Sequence, residues 1–153
     1  MLTKEEEYTA VVERVWQEIV VDADLDRIDE LMASEYVYRG PAGLELHGPE
    51  GFQHLIAAVH DLLTDIDLTV HEYITQGNRV LSRWSGQARE KQSGRAVEWH
   101  GATISHVVDG KIVDDWEYWD RLQLAEQLAD NWLQRLLVGA VARQVSEALP
   151  YDG

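Results

Sequence analysis

The stretch "GKIVDDWEYWD", residues 110 to 120, places four carboxylate side chains among two tryptophans and a tyrosine. It follows a strand-like run, Ala96–Val108, and the intervening Asp109 and Gly110 are typical of a tight hairpin turn. Two antiparallel strands joined in this way have faces that alternate residue by residue. The chemistry of the protein therefore depends on which residues of this stretch share a face.

Helical periodicity dominates the first third of the chain. Thr3 and Glu6 have the spacing of a capping box, and apolar residues follow at helical intervals. Asp24 stands where it can cap a short second helix, and Pro49 suits the first turn of a third. Between these two helices, "EYVYRG" (residues 35–40) indicates a short strand.

From Ile66 onward the apolar period changes from 3.6 to 2. Residues 66–74 and 80–89 alternate apolar and polar side chains, the hairpin follows them, and helical periodicity returns after Asp120. Helices first and antiparallel strands later predict a single α+β domain, with helices covering one face of a strongly curved antiparallel sheet. Such a sheet can enclose an internal pocket.

The composition limits the possible partners and location. A chain of 153 residues that is 45% hydrophobic can bury a core without disulfides or metals, so we expect a soluble globular protein. No apolar run reaches the ~20 residues of a membrane span, so no membrane association is expected. A net charge of −15 repels phosphate backbones and anionic lipid, which argues against nucleic acid as a partner. The lack of cysteine and of a signal-like N-terminus favours the cytoplasm.

The hairpin register decides which side chains meet. A type I turn at Asp109 and Gly110 would pair Val107 with Lys111. One face would then mix titratable with large apolar side chains: Glu98, His100, Ala102, Ile104, His106, Ile112, Asp114, Trp116, Tyr118 and Asp120. The other face would carry Trp99, Thr103, Ser105, Val113, Asp115, Glu117 and Trp119. We predict that the first face is the pocket wall, because that mixture is typical of ligand cavities. A two-residue turn would instead separate the histidines from Asp120.

A carboxylate held against the aromatic side chains of that face would lose hydration, which raises its pKa and makes it a usable base near neutral pH. Asp120 is the first candidate and Asp114 the second. The alternative is that these acids lie at solvated strand ends while the aromatic residues fill the core. The candidate substrate-binding residues are Tyr38, Trp84, His100, Asp114, Trp116 and Tyr118.

No metal or organic cofactor is expected. His100 and His106 are separated by six strand residues, which span about 20 Å, so they cannot share an ion. The sequence also lacks cysteine, a suitable His-x-x-x-His pair and a glycine-rich phosphate loop.

Four stretches resemble the SnoaL-like polyketide cyclases, within the nuclear-transport-factor-2-like superfamily. They are "HGPEGF" (47–52), "LSRWSG" (81–86), "GRAVEWHG" (94–101) and, most specifically, "DGKIVDDWEYWDRLQLAEQL" (109–128). The resemblance covers residues 5–128. It implies an α+β cone with a deep internal pocket and no cofactor, usually dimerised through the outer face of its sheet. It also implies ring closure by intramolecular aldol condensation, with an aspartate as acid and base.

The resemblance also carries two catalytic residues onto this sequence. The family aspartate matches Asp120, which follows Trp116 in the final strand, and the histidine position before the hairpin matches His106. Tyr38, in the early strand, stands where family members often have a histidine.

Three functions are compatible with such a pocket. The first is a cofactor-independent acid–base enzyme acting on an apolar carbonyl compound, with aldol cyclisation as its reaction. The second is an isomerase or epoxide hydrolase with the same fold, in which Asp114 or His100 assists Asp120. The third is a binding protein that carries an apolar ligand unchanged.

The C-terminal residues indicate an additional helix. Leu128, Trp132, Leu136 and Val145 recur at helical spacing, so we divide the chain into a cone domain, residues 1–130, and an extra helix, residues 131–153. An apolar helix of this kind requires a partner surface. We expect it to form a homodimer contact, with a lid over the pocket as the alternative.

Overall fold

A computed structural model of the protein describes residues 1–128, which form an α+β fold. The helices are α1 (Lys4–Arg14), which continues as a π-helical segment (Val15–Val21), α2 (Ile28–Leu31), α3 (Gly48–Leu62) and α4 (Arg121–Leu128). The strands are β1 (Met32–Arg39), β2 (Glu45–His47), β3 (Leu63–Gln76), β4 (Arg79–Glu90), β5 (Ala96–Val108) and β6 (Lys111–Trp119). The fold class predicted from the change of apolar period is confirmed.

Local signals fix two of the helix starts. At α1 the Glu6 amide donates to Thr3 Oγ1 at 3.2 Å, and the Thr3 amide donates to Glu6 Oε2 at 2.7 Å, so the capping box is confirmed. Pro49 occupies the first turn of α3 as predicted. Asp24 does not cap with its side chain; its carboxylate lies 3.5 Å from Arg27 Nε instead.

The six strands form one sheet in the order β2-β1-β6-β5-β4-β3. All neighbouring pairs are antiparallel except β1 and β6, which run parallel, so the sheet is mixed rather than wholly antiparallel as predicted. Register shifts interrupt the β1–β6, β3–β4 and β5–β6 pairings, and such bulges bend strands. The curved sheet therefore has a concave inner face, against which the helices pack.

The core lies between the helices and this inner face. Its main cluster unites apolar side chains from the N-terminal helices, α3 and the sheet: Val12, Val15, Ile19, Ile28, Leu31, Met32, Tyr36, Tyr38, Phe52, Ile56, Val80, Val107 and Ile112. A smaller cluster of Leu63, Ala88 and Val97 packs against Trp99 and against Leu124 and Leu128 of α4. Residues of both clusters border the cavity described below.

The β5–β6 hairpin differs from the predicted register. Asp109 (φ 50°) and Gly110 (φ 76°) both lie in the left-handed region, which is typical of a two-residue turn whose twist matches that of the flanking strands. Val108 therefore pairs with Lys111, and the predicted pairing of Val107 with Lys111 is wrong. Beyond the turn, Val107 pairs with Ile112 and His106 with Asp114, so Val113 is the extra residue of a bulge.

No helix within residues 1–128 is both long and apolar enough to cross a membrane. The extra helix predicted for residues 131–153 lies outside the described residues.

Candidate active site

An internal cavity of about 140 Å³ lies between the helices and the inner face of the sheet. Its wall is mainly aliphatic and aromatic. The aromatic members are Trp16, Tyr38, Phe52, Trp84, Trp99 and Trp119. Two carboxyl groups, those of Asp115 and Glu117 on β6, also line it. A few polar groups in an otherwise apolar enclosure are the usual composition of a small-molecule site.

Among residues 1–128, Asp115 is the one charged residue that the fold buries, with 5% of its surface exposed. Ser105 Oγ on β5 donates to its Oδ1 at 2.5 Å, and the Tyr36 hydroxyl on β1 donates to its Oδ2 at 2.7 Å. Tyr36 is itself fully buried. The carboxyl group is therefore held between two neighbouring strands by hydroxyl donors that leave part of its acceptor capacity unused.

Glu117 lies two residues further along β6, on the same face. The Tyr38 hydroxyl donates to its Oε1 at 2.8 Å, and Thr103 Oγ1 donates to its Oε2 over a longer 3.3 Å. Trp84 Nε1 in turn donates to Thr103 Oγ1 at 3.0 Å. Because an indole N–H can only donate, the Thr103 hydroxyl accepts from Trp84 and keeps its own proton available for Glu117.

Burial changes the acidity of both carboxyl groups. Loss of hydration raises the pKa of Asp115 to about 6, although the hydrogen bonds from Ser105 and Tyr36 oppose the rise. Loss of hydration likewise raises the pKa of Glu117 to about 7, against the hydrogen bond from Tyr38. Because both pKa values are raised into the neutral range, one carboxyl of the pair can hold a proton while the other is ionised, so an acid and a base can coexist in one cavity.

Two glycines make room for the tryptophans of this wall. A Cβ on Gly86 would lie 2.8 Å from the Trp99 ring. A Cβ on Gly101 would meet the Tyr118 carbonyl oxygen of the neighbouring strand first, and would lie 2.8 Å from Trp119 Cβ and 2.9 Å from the Trp84 ring. All these distances are shorter than side chains tolerate. The glycines that end "LSRWSG" and "GRAVEWHG" therefore let indole rings lie close against the sheet.

The cavity includes two of the sequence-predicted residues, Tyr38 and Trp84. Apart from Ile112, which also lines the cavity, the predicted face of the β5–β6 hairpin is on the wrong side of the sheet. Trp116 and Tyr118 are exposed, at 42% and 57%, and Arg39 covers the Trp116 ring at 4.9 Å. After the bulge at Val113 the side chains of β5 and β6 group on the two faces as predicted, but the odd-numbered group faces inward. The physical reason is that β5 buries its odd-numbered residues, such as Val97 and Val107, against the core.

His106 and Asp114 meet on the outer side of the sheet. His106 Nδ1 lies 3.1 Å from Asp114 Oδ2, and its Nε2 lies 2.8 Å from Asn78 Nδ2. Arg79 approaches the same Asp114 carboxylate at 4.0 Å. The structure brings this predicted pair together, but not within the internal cavity.

Asp120 and His100 line an open groove outside the cavity, together with Tyr118. The Asp120 carboxylate accepts hydrogen bonds from the Leu122 and Gln123 amides, at 2.9 and 3.0 Å, as the N-cap of α4. Its catalytic role and that of His106 stay predictions, which variants can test.

Sequence reasoning missed Asp115 and Glu117 as site residues because it chose the opposite face. One signal could have identified the inner face. Val97, Trp99 and Val107 are odd-numbered and therefore share one face of β5, whereas the histidines of this strand are even-numbered and lie on the other. The same face of β5 carries Thr103 and Ser105, whose hydroxyl groups bind the two carboxyls.

Within residues 1–128, no group of three or more histidine, aspartate or glutamate side chains is arranged to hold a metal ion.

Comparison with known proteins gives the family. The SnoaL-like polyketide cyclase model matches residues 10–128. The chain belongs to the SnoaL-like polyketide cyclase family. The match spans the fold from α1 to α4 and includes every residue of β6, and it confirms the resemblance drawn from the sequence motifs. No curated protein matches the chain significantly.

Solved structures share the fold at low sequence identity. A protein from Jannaschia sp. CCS1 classed as a SnoaL-like polyketide cyclase has 16% identity and a TM-score of 0.78, covering 86% of this chain and 97% of its own. An LEH-like epoxide hydrolase from M. tuberculosis has 18% identity and a TM-score of 0.69, covering 92% and 99%. A protein with a ketosteroid isomerase-like fold from Catenulispora acidiphila, solved with trimethylamine, has 17% identity and a TM-score of 0.68, covering 76% of this chain and 90% of its own.

Proposed function

We propose that the protein is a cofactor-independent acid–base enzyme acting on a small apolar carbonyl compound, with Asp115 as the base and Glu117 as the acid. The observation that supports the proposal is the pair of carboxyl groups on one strand face, both lining one apolar cavity. Family membership supports a cyclase-type reaction, and the neighbours include both cyclases and an epoxide hydrolase.

The proposed reaction begins with proton removal. Ionised Asp115 takes a proton from the carbon next to the carbonyl, while protonated Glu117 donates a hydrogen bond to the carbonyl oxygen as negative charge develops there. In a substrate with a second carbonyl, the enolate carbon attacks that group and forms the ring bond. The new alkoxide then takes a proton from a carboxyl group, which completes an aldol cyclisation without net proton change.

The size of the cavity limits the reacting part of the substrate. An engineered apolar cavity of about 150 Å³ binds benzene, so the 140 Å³ present here accommodates about one six-membered ring. Leu124 of α4 borders the cavity, so this helix forms part of the wall that limits its size.

Deuterium exchange tests the chemistry without knowledge of the natural substrate. Cyclohexanone in D₂O is followed by proton NMR, which reports exchange next to the carbonyl. We expect Asp115→Asn and Glu117→Gln to lower protein-catalysed exchange by about 100-fold or more, the usual contribution of general acid–base groups. Circular dichroism checks that each variant is folded.

Asp120→Asn is the matched control, because asparagine also caps helices well. Exchange by this variant within about twofold of the parent protein supports the assignment. A large loss in Asp120→Asn, with activity retained in the Asp115 and Glu117 variants, would return the catalytic role to Asp120 and exclude the proposed pair.

Two other outcomes identify the alternative functions. Conversion of cyclohexene oxide in H₂¹⁸O, with labelled oxygen in the diol and no ketone exchange, would indicate an epoxide hydrolase. Retention of cyclohexanone without exchange would indicate a carrier. A homodimer and a cytoplasmic location remain predictions from the sequence.

A further inference from the structure

The described lining of the cavity contains acidic groups and no basic side chain. Its titratable members are Asp115, Glu117 and Tyr38, and no lysine, arginine or histidine of residues 1–128 is among the side chains bordering it. The negative charge in this enclosure is therefore not balanced by a cationic neighbour.

The groups that bind the two carboxyls are all uncharged. Asp115 accepts from Tyr36 and Ser105, and Glu117 accepts from Tyr38 and Thr103. Burial raises the pKa of both tyrosines, so their hydroxyls remain protonated donors and cannot supply positive charge. An ionised carboxyl keeps lone pairs beyond those these donors occupy.

The rest of the wall suits a cation surrounded by methyl or methylene groups. Six aromatic side chains border a cavity of about 140 Å³, four of them tryptophans, and tryptophan is the strongest cation-binding aromatic residue. Trp16 and Trp84 lie with ring centroids 5.5 Å apart at 53°, so they are tilted rather than stacked. Aromatic enclosures with nearby carboxylates are the usual recognition sites for alkylated ammonium groups.

We infer that the cavity selects ligands carrying a compact alkylammonium group, which the carboxylate of Asp115 neutralises and the surrounding indole rings enclose. The inference rests on the proposed function, since it uses the same cavity and carboxyls and adds positive charge to the substrate class. It does not require proton transfer. The net charge of −15 on the chain would also raise the local concentration of cations around the protein.

Binding of such a cation competes with protonation of the carboxyls. The titratable groups facing Asp115 are Glu117 on β6 and Tyr36 and Tyr38 on β1. The negative charge of Asp114, on the outer side of β6, also raises the pKa of Asp115. Since the pKa of Asp115 is raised to about 6, its proton must leave when the cation binds below that pH. The dissociation constant should therefore fall about tenfold between pH 5 and pH 8.

Calorimetric titration of choline and of 3,3-dimethylbutan-1-ol tests the inference. The two alcohols have nearly the same shape, but a neutral carbon replaces the charged nitrogen in the second. At pH 8 we expect choline to bind at least about tenfold more tightly. Asp115→Asn should remove most of this preference, whereas Glu98→Gln, which alters an exposed carboxylate on β5, should preserve it.

A second measurement separates the cavity from the acidic surface. In 1 M NaCl, attraction by exposed carboxylates is screened beyond about 3 Å, so a preference for choline that persists there belongs to an enclosed site. Equal affinity for the two alcohols, or a preference abolished by salt, would overturn the inference even if Asp115→Asn failed to fold. Deuterium exchange of cyclohexanone is measured separately. A parent protein that prefers choline but catalyses no exchange would contradict the proposed reaction and leave the inference about the ligand intact.

Discussion

At the scale of single residues, the carboxyl groups of Asp115 and Glu117 give the stability of the protein an unusual pH dependence. Most native carboxyls have a lowered pKa, as Glu6, Glu18 and Glu30 have here through hydrogen bonds and ion pairs. A buried carboxyl with a raised pKa acts in the opposite direction. Its folded form retains the proton at pH values where its unfolded form has lost it, so stability falls as pH rises.

Glu117→Gln should therefore stabilise the protein at alkaline pH relative to the parent chain. The pKa of Glu117 rises from 4.5 to about 7 on folding. The parent protein therefore loses stability as the pH rises from 4.5 to 7, and the loss is complete above pH 7. We expect the free energy of unfolding of the variant, relative to the parent, to increase by roughly 2 to 3 kcal/mol between pH 4.5 and pH 8. Urea denaturation across this range measures the difference.

Glu98→Gln makes the same chemical change at an exposed position of β5 and serves as the control. Its stability relative to the parent should be nearly independent of pH. If Glu117→Gln behaved like this control, Glu117 would be solvated in the folded protein and unsuited to the role of a retained acid.

At the scale of secondary structure, the β5–β6 hairpin shows what the sequence can and cannot predict. Alternation along each strand was sufficient to predict the strands and to place Asp115, Glu117 and Trp119 on one face. It could not predict the bulge at Val113, because one extra residue leaves composition and periodicity almost unchanged while reversing the inward parity of β6. Ile112 and Asp115 consequently both face the core.

The choice of inner face was wrong for a separate reason, which does not involve the bulge. Aromatic surface beside acids was taken as the sign of a pocket, yet Trp116 lies outside under Arg39, and the catalytic candidates lie between hydroxyl residues. Family motifs predicted the fold more reliably than the site, because they reflect packing such as that of Gly86 against Trp99.

Gly86→Ala tests that packing contact between β4 and β5. The three heavy atoms closest to the added Cβ all belong to the Trp99 ring, at 2.8 to 3.2 Å, so the substitution should destabilise the protein by roughly 1 to 3 kcal/mol through overpacking. Urea denaturation measures this change.

A double variant isolates its cause. Trp99→Leu removes the ring, so Gly86→Ala should destabilise that variant much less than it destabilises the parent protein. The double variant should therefore be more stable, by at least about 0.5 kcal/mol, than the sum of the two single effects predicts. Additive effects would show that the cost of Gly86→Ala does not arise from contact with the Trp99 ring.

At the scale of the whole molecule, the outer face of the sheet is a candidate interaction surface, because it exposes large apolar side chains. It exposes Trp116 and Tyr118 on β6 and Ile74 on β3, at 42%, 57% and 57%. Large exposed side chains that recur along one sheet face are typical of interaction surfaces. The resemblance to the family implies a homodimer through this face, whereas the sequence pattern of residues 131–153 favours a dimer contact made by the C-terminal segment.

Two variants distinguish these dimer contacts. Trp116→Glu introduces a charge into the outer face without touching the cavity wall, and we expect it to shift the protein from dimer to monomer in sedimentation velocity experiments, since burying an unpaired charge costs several kcal/mol. Truncation after Asp130 removes the C-terminal segment and leaves the outer face intact. A dimer that survives Trp116→Glu but dissociates on truncation would assign the contact to the C-terminal segment, and a parent protein that sediments as a monomer at all concentrations would contradict both. Choline titration of each variant completes the test, because an altered affinity in the truncated dimer would indicate that the segment acts as a lid over the cavity.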